Sequence, residues 1–249
     1  MTPSLPIHHT STSTSQLHIL CAGAMHRIIG ELAGTLERSA GKPLAIRCAS
    51  SSGVKALALA GEAADVVITT AAAMDELARH CKILPMTAIP VARSPIGVAV
   101  RSGAPRPDVG SIESFKRALR EARSIAIADP ASGSPSGNHL VAVFERLAMT
   151  AELQAKIKRV GGGIGGVVVV GQAVVNGEAE IGLQQVAEFL GVPGLDLVGE
   201  LPSELQHVTV FSAAVAATAT DVPSAHRLVA FLASPAAAAV IGASGMAAA

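Results

Sequence analysis

The 249-residue chain carries 19 basic and 19 acidic side chains, half of its residues are hydrophobic, and it contains neither Trp nor Tyr. A formal charge of zero gives no basic footprint for a phosphate backbone, and without Trp or Tyr there is little for bases to stack on, which argues against a nucleic-acid partner. The hydrophobicity comes from Ala, Val, Leu and Ile, which supports a packed core, arranged as one large domain or two smaller lobes.

The opening stretch, MTPSLPIHHTSTSTSQ, has no Lys or Arg and no apolar run of leader length, so residues 1–15 are expected to form a flexible tail. The expected address is cytoplasmic for the sequence as it stands, and periplasmic if a leader was removed. The first unit is then a strand, LHILC, the loop AGAM, and an amphipathic helix ending at Gly41 and Pro43. LAIRC, the loop ASSSG and the helix VKALALAGE form the second. A third strand, DVVITT, feeds a helix from about Ala73 to Cys81. PIGVAVRSGAP is an extended apolar segment, and Ser111 or Ser114 caps the helix that follows it. SIAIADP is another strand, after which ASGSPSG opens a helix. A glycine-rich run leads to an apolar segment ending at Asn176 and Gly177, EIGLQQ is a short strand, HVTVFSAAVAAT a long one, and AHRLVAFLA a helix. The C-terminal run is apolar, but Ala is a weak membrane former and Pro235, Gly242 and Gly245 interrupt it; the expectation is no membrane span and a helix with a frayed end. Alternating strands and helices predict α/β architecture with mostly parallel sheets.

The cysteines, Cys21, Cys48 and Cys81, are too far apart for a CxxC signature and are expected to be small buried apolar residues. Gly161, Gly163 and Gly166 match G-x-G-x-x-G, but the run lies late in the chain after a basic helix and not after the first strand of a βαβ unit; a flexible loop, or one whose bare amides approach a ligand closely, fits better than a dinucleotide fingerprint. More informative are the strand-to-helix loops. Ser50, Ser51, Ser52 and Gly53 open one helix, and Ser132, Gly133, Ser134, Ser136 and Gly137 open another. Free amides and hydroxyls at helix starts make an anion site without a formal cation, and plain helix capping is the alternative use of the same residues. In open sheets such loops lie at the ligand-binding ends of the strands. Arg27 and Arg101 are candidates to clamp a carboxylate, and His26 and His139 are candidate bases. No Ser-His-Asp arrangement or metal-spaced cluster is visible, and no cofactor or metal is implied.

LHILCAGAM, CASSSG, ADVVITT, SIAIADPASGSPSG, NGEAEIGL and VTVFSAAV, in this order, resemble the periplasmic molybdate-binding protein family over nearly the whole chain. The resemblance implies the type 2 periplasmic-binding fold, two α/β lobes with a ligand cleft between them: residues 16–96 plus 208–249 in the first lobe and 97–207 in the second. Carried over by position, the family's oxyanion contacts fall on Ala24, Ser51, Ser136, Val167 and Gln185, with Ser52 and Ser134 in the same loops. The chain departs from the pattern twice: Ala24 stands where the family usually has a serine, and Gln185 where it usually has a tyrosine. SPIGVAVRSGAP and LQQVAE are similar to a divergent subgroup near aconitate isomerase. The implied function is solute binding of a small anion or carboxylate, with an ABC permease as partner if the protein is exported. The alternative is an isomerase that shifts an allylic proton of an unsaturated tricarboxylate, with His26 or His139 as base; true molybdate or tungstate binding ranks below both.

Overall fold

A computed structural model describes residues 16–161 and 169–249. In chain order, β1 (Leu17–Ala22) leads through a short 3-10 turn (Gly23–Met25) to α1 (His26–Ala40), β2 (Leu44–Ala49), α2 (Ser51–Leu59), β3 (Val66–Thr70), α3 (Ala71–Arg79) and β4 (Ile89–Ser94). Next come β5 (Ile96–Arg101), α4 (Ile112–Glu121), β6 (Ile125–Ala128), α5 (Pro135–Arg146), α6 (Thr150–Leu153) and β7 (Ile157–Val160). They are followed by α7 (Val169–Val175), β8 (Ile181–Gln185), α8 (Val186–Phe189) and β9 (Leu195–Glu200), and the chain closes with β10 (Thr209–Val215), α9 (Val222–Leu232), α10 (Pro235–Ala243) and β11 (Ala247–Ala248).

The strands form two sheets, ordered β11-β4-β10-β3-β1-β2 and β7-β6-β8-β5-β9. Expected to be mostly parallel, both are mixed. β1 runs parallel to β2 and β3, and β6 to β7 and β8. The pairs β10–β3, β10–β4, β11–β4, β5–β8 and β5–β9 are antiparallel. Connectivity is the cause. Helical crossovers return the chain to the same end of a sheet and so build parallel strands. Between β4 and β5 only Pro95 intervenes, so the chain passes directly from one sheet to the other and runs against the parallel strands it joins.

Both faces of each sheet are covered, and period-two alternation sorts the side chains between two cores. Leu17, Ile19 and Cys21 face α1 and α9, whereas Leu20 and Val67 face α2 and α3. In the second sheet Ile125, Ile127, Val98 and Leu183 pack against α4 and α5. The opposite face is built from Ala99, Ala126 and Ala128 because α7 and α8 lie close: a Cβ at Gly182 would stand 2.9 Å from a Val174 methyl, and one at Gly97 2.8 Å from a Val186 methyl. Helix α1 buries Ile28, Ile29, Leu32, Leu36 and Ala40 on one stripe and stops at Gly41, whose φ of 75° closes a left-handed cap on the Glu37 carbonyl.

Two expectations are corrected. Cys21 is buried and paired in register with half-buried Cys48, whose thiol, together with burial, holds the Cys21 thiol well above its ordinary range; Cys81, however, is exposed just beyond the end of α3. The C-terminal end does not fray but pairs with β4 as β11. Among the described residues no single helix is long and apolar enough to cross a membrane; α9 and α10 are bent by 59° and bury Leu228, Leu232 and Ile241 in the core.

One polar residue ties β1 to the approach of α9. Asp65, 2% exposed, accepts hydrogen bonds from the His18 amide (2.9 Å), the Thr220 amide (2.8 Å) and the Thr220 hydroxyl (3.1 Å). Asp65→Ala leaves these donors without an acceptor and is expected to lower unfolding stability by about 2–4 kcal/mol in urea titration. A change within about 0.5 kcal/mol, typical of an ordinary surface site, would contradict this role.

Candidate functional site

The carboxyl ends of β1 and β2 in one sheet, and of β6 and β8 in the other, converge on a single cavity of about 60 Å³. This is where a parallel sheet presents its strand-to-helix loops. From the first lobe come Gly23, Ala24, Ser50 and Ser51; from the second, Ser134, Ser136, Gln184 and Gln185.

The sequence builds its walls by helix capping. The Ser50 hydroxyl accepts from the Gly53 amide (3.1 Å) at the start of α2, and the Ser134 hydroxyl accepts from the Gly137 amide (3.3 Å) at the start of α5. Pro135 occupies the first turn of α5, where a missing amide hydrogen costs nothing. The amides of Ser51 and Ser136 lie in first turns and have no intrahelical acceptor, so two helix starts from opposite lobes present donors and positive dipole ends to one space. Gly137 allows α5 to seat on β6: a Cβ there would lie 2.2 Å from the Ala128 carbonyl oxygen. Among the described residues lining the cavity none is a cation, and Glu188 is the one ionisable group.

A hydrogen-bonded row runs along the second lobe's wall. The Ser134 and Ser136 hydroxyls lie 3.1 Å apart, Ser136 donates to the Gln184 carbonyl oxygen, and the Gln184 amide donates to Glu188 (2.9 Å). Burial pushes the Glu188 carboxyl up to about 7, against the opposing effect of the Gln184 hydrogen bond. Burial thus favours the neutral form of the Glu188 carboxyl. Next to it, buried Gln185 donates to the Thr209 hydroxyl (2.7 Å), and its Oε1 has no partner. The Thr209 hydroxyl is both donor and acceptor, so the Gln185 amide can turn either its oxygen or its NH2 toward the cavity and keep that bond.

The residues singled out in the sequence fall in several places. Ala24, Ser51, Ser134, Ser136 and Gln185 line the cavity. Ser52 does not; it reaches across the cleft and donates to the Ser132 carbonyl. Gly133, φ 72°, makes that contact sterically possible, since a Cβ there would come within 2.5 Å of the Ser52 Cβ. Arg27 and His26 line an adjoining pocket. Arg101 lies at the opposite end of the second sheet, beside Gly177, because β5 runs away from the cleft. His139 also faces elsewhere: its Nε2 is 2.8 Å from the Leu205 carbonyl and its ring is 5.0 Å from that of His207. Val167, with Gly163 and Gly166, lies outside the described residues. Among the described residues no group of three or more His, Cys, Asp or Glu could hold a metal ion. Sequence reasoning missed Glu188 and Gln184. The available signal was a lone carboxylate inside the apolar run IGLQQVAEFLGV, since a charge in such a run needs a partner or a shifted pKa.

These features define a two-lobed α/β protein with a serine-lined cavity at the cleft. The chain belongs to the bacterial extracellular solute-binding protein family, whose profile matches residues 17–247. It is 33% identical over 250 residues to the aconitate isomerase of a Pseudomonas species, covering 98% of this chain and 91% of that one. Its fold is similar to that of the periplasmic molybdate-binding protein of Azotobacter vinelandii (TM-score 0.76, 20% identity, 93% of this chain and 98% of that one). The sulfate-binding protein of Mycobacterium tuberculosis is similar as well (TM-score 0.69, 17% identity, 93% and 86%). The family resemblance read from the loop motifs is thus borne out.

The Glu188 environment has a measurable consequence for stability. Its folded-state pKa of about 7 lies above the ordinary 4.5, so stability present at low pH is lost as pH rises from the lower value through the higher. Glu188→Gln is therefore expected to raise the melting temperature at pH 8, by about 2–4 °C for each kcal/mol relieved, and to raise it much less at pH 5. Equal shifts at both pH values would show that this carboxyl is not held out of its ordinary range.

Proposed function

We propose that the protein closes its two lobes on a small carboxylate anion, held in the serine-lined cavity by hydroxyls and helix amides. The observation that carries this reading is the meeting of two helix starts from opposite lobes, Ser50–Ser51 and Ser134–Ser136, on a cavity with no cation among the described residues that line it. Fixed neutral donors hold an anion without the desolvation penalty of a buried Lys or Arg. Relatives in the fold are named for anions, molybdate and sulfate. Against molybdate as the ligand here stand Ala24, which offers only its amide, and Gln185 in a chain with no tyrosine. A tetrahedral oxyanion needs each oxygen satisfied, and a flat carboxylate needs fewer donors.

Glu188 favours a second reading on the same scaffold, an isomerase, and the relative named aconitate isomerase supports it. In that reading the Glu188 carboxylate takes a proton from the methylene beside the double bond. The C–H electron pair becomes the new double bond, the old π pair takes a proton at the far alkene carbon, and atoms and charge balance within one substrate. Serine hydroxyls and free amides meet the negative charge that builds on the substrate's oxygens. Delivery to an ABC permease and a periplasmic address belong to the binding role; the isomerase role requires neither.

A thermal-shift panel of molybdate, sulfate, citrate, and cis- and trans-aconitate tests the ligand class, since a ligand at a hundredfold excess over Kd stabilises by about 2.7 kcal/mol. Polycarboxylates are expected to raise the melting temperature and the inorganic oxyanions to leave it unchanged; the reverse would overturn the carboxylate reading. Proton NMR of trans-aconitate in D2O separates the two roles. Interconversion with deuterium uptake that disappears in Glu188→Gln establishes the isomerase, and an unchanged spectrum leaves the binder.

A further inference from the structure

We infer that the ligand carries at least two carboxylates and spans two chambers, one carboxylate in the serine-lined cavity and a second in the neighbouring pocket on Arg27. This rests on the reading that a carboxylate occupies the serine-lined cavity. The second pocket, about 270 Å³, is lined by His26, Arg27 and Gly30 of α1 and, from the other lobe, by Glu188, Leu190 and Gly191. Gly23, Ala24 and Glu188 line both chambers, so the first loop and one carboxyl side chain are shared between them.

Arg27 is held in place but not satisfied. Its Nη1 pairs with Glu31 (3.1 Å) and its Nη2 donates to the Ala243 carbonyl (3.4 Å), yet its Nε is buried and has no partner. A buried guanidinium N–H without an acceptor is costly, and a carboxylate docking on that edge supplies one. The stem is positioned by close packing, since a Cβ at Gly191 would sit 3.5 Å from the Arg27 Cδ. Gly30 leaves open space on the same wall: nothing lies within 4 Å of where its Cβ would be. The chambers differ in chemistry, one offering neutral donors and the other a guanidinium. A monocarboxylate fills only the first, whereas a di- or tricarboxylate with its acid groups a few carbons apart engages both, with its middle carbons facing Glu188. Burial favours the neutral form of that carboxyl, which reduces its repulsion of a polyanion.

Calorimetric titration with tricarballylate, a saturated tricarboxylate that has no double bond to shift, and competition by acetate test this on the full chain. Arg27→Met, which removes the guanidinium, and Gly30→Leu, which fills the second chamber without touching Arg27, are each expected to weaken tricarballylate binding roughly 10- to 100-fold and to leave acetate competition unchanged. Ser136→Ala is expected to weaken both ligands. If tricarballylate affinity survives Arg27→Met and Gly30→Leu but falls in Ser136→Ala, the second chamber is overturned and the serine-lined site stands. If Ser136→Ala changes neither ligand, the reading of the serine-lined cavity fails, and the two-chamber proposal fails with it.

Discussion

The lobes are joined where two segments of chain cross side by side, and the position of the cleft follows from how tightly those segments are bonded. Thr209, the first residue of β10, pairs with Ser94, the last of β4. The Gln206 side chain completes the pair by accepting from the Ile96 amide (2.9 Å) and donating to the Ile96 carbonyl (3.0 Å), as a neighbouring strand would. The crossing is thus bonded across both segments at the point where the chain passes between the sheets. It also reaches the site directly: the Thr209 hydroxyl holds the Gln185 amide, and the Val186 amide donates to the Pro95 carbonyl (2.9 Å). His139 and His207 stack beside the same crossing, and burial, with the neighbouring His139, lowers the His207 pKa.

Since the crossing brings the two sheets together at the carboxyl ends of their parallel strands, both sets of helix starts face one space. Each alone is an ordinary capped helix. Facing each other, they form a surround of donors that neither lobe could build. The contact of Ser52 with the Ser132 carbonyl, permitted by Gly133, joins the two loops directly. The design leaves Glu188 as the titratable group at the wall, and its raised pKa is the cost of placing a carboxyl where most neighbours are apolar.

The parts of this arrangement that depend on local chemistry were legible in the sequence. Strands such as VVITT declare themselves by β-branched runs, and the serine loops by hydroxyl and glycine residues placed between strand and helix. Strand direction and end-to-end placement were not legible, since they depend on which sheet a segment joins. Arg101 and Gln185 both follow apolar strands, yet β5 and β8 are antiparallel, so Ile96 lies opposite Gln185 at the cleft and Arg101 is carried to the far end. β4, β7 and β9 were missed because Pro90, the Lys158–Arg159 pair and half-exposed side chains mask their pattern. A lone carboxylate in an apolar run marked Glu188 in the sequence, but the burial that raises its pKa depends on how the chain folds around it.

The central claim is that donors from both lobes meet on one ligand in the serine-lined cleft. Backbone-assigned NMR during titration with trans-aconitate tests it most directly. The largest shift changes are predicted on the amides of Ser51 and Ser136 and on the Gln185 side-chain NH2, saturating together at one affinity. Changes confined to one lobe, or centred on the outer pocket around Arg101 and Lys158, would contradict it.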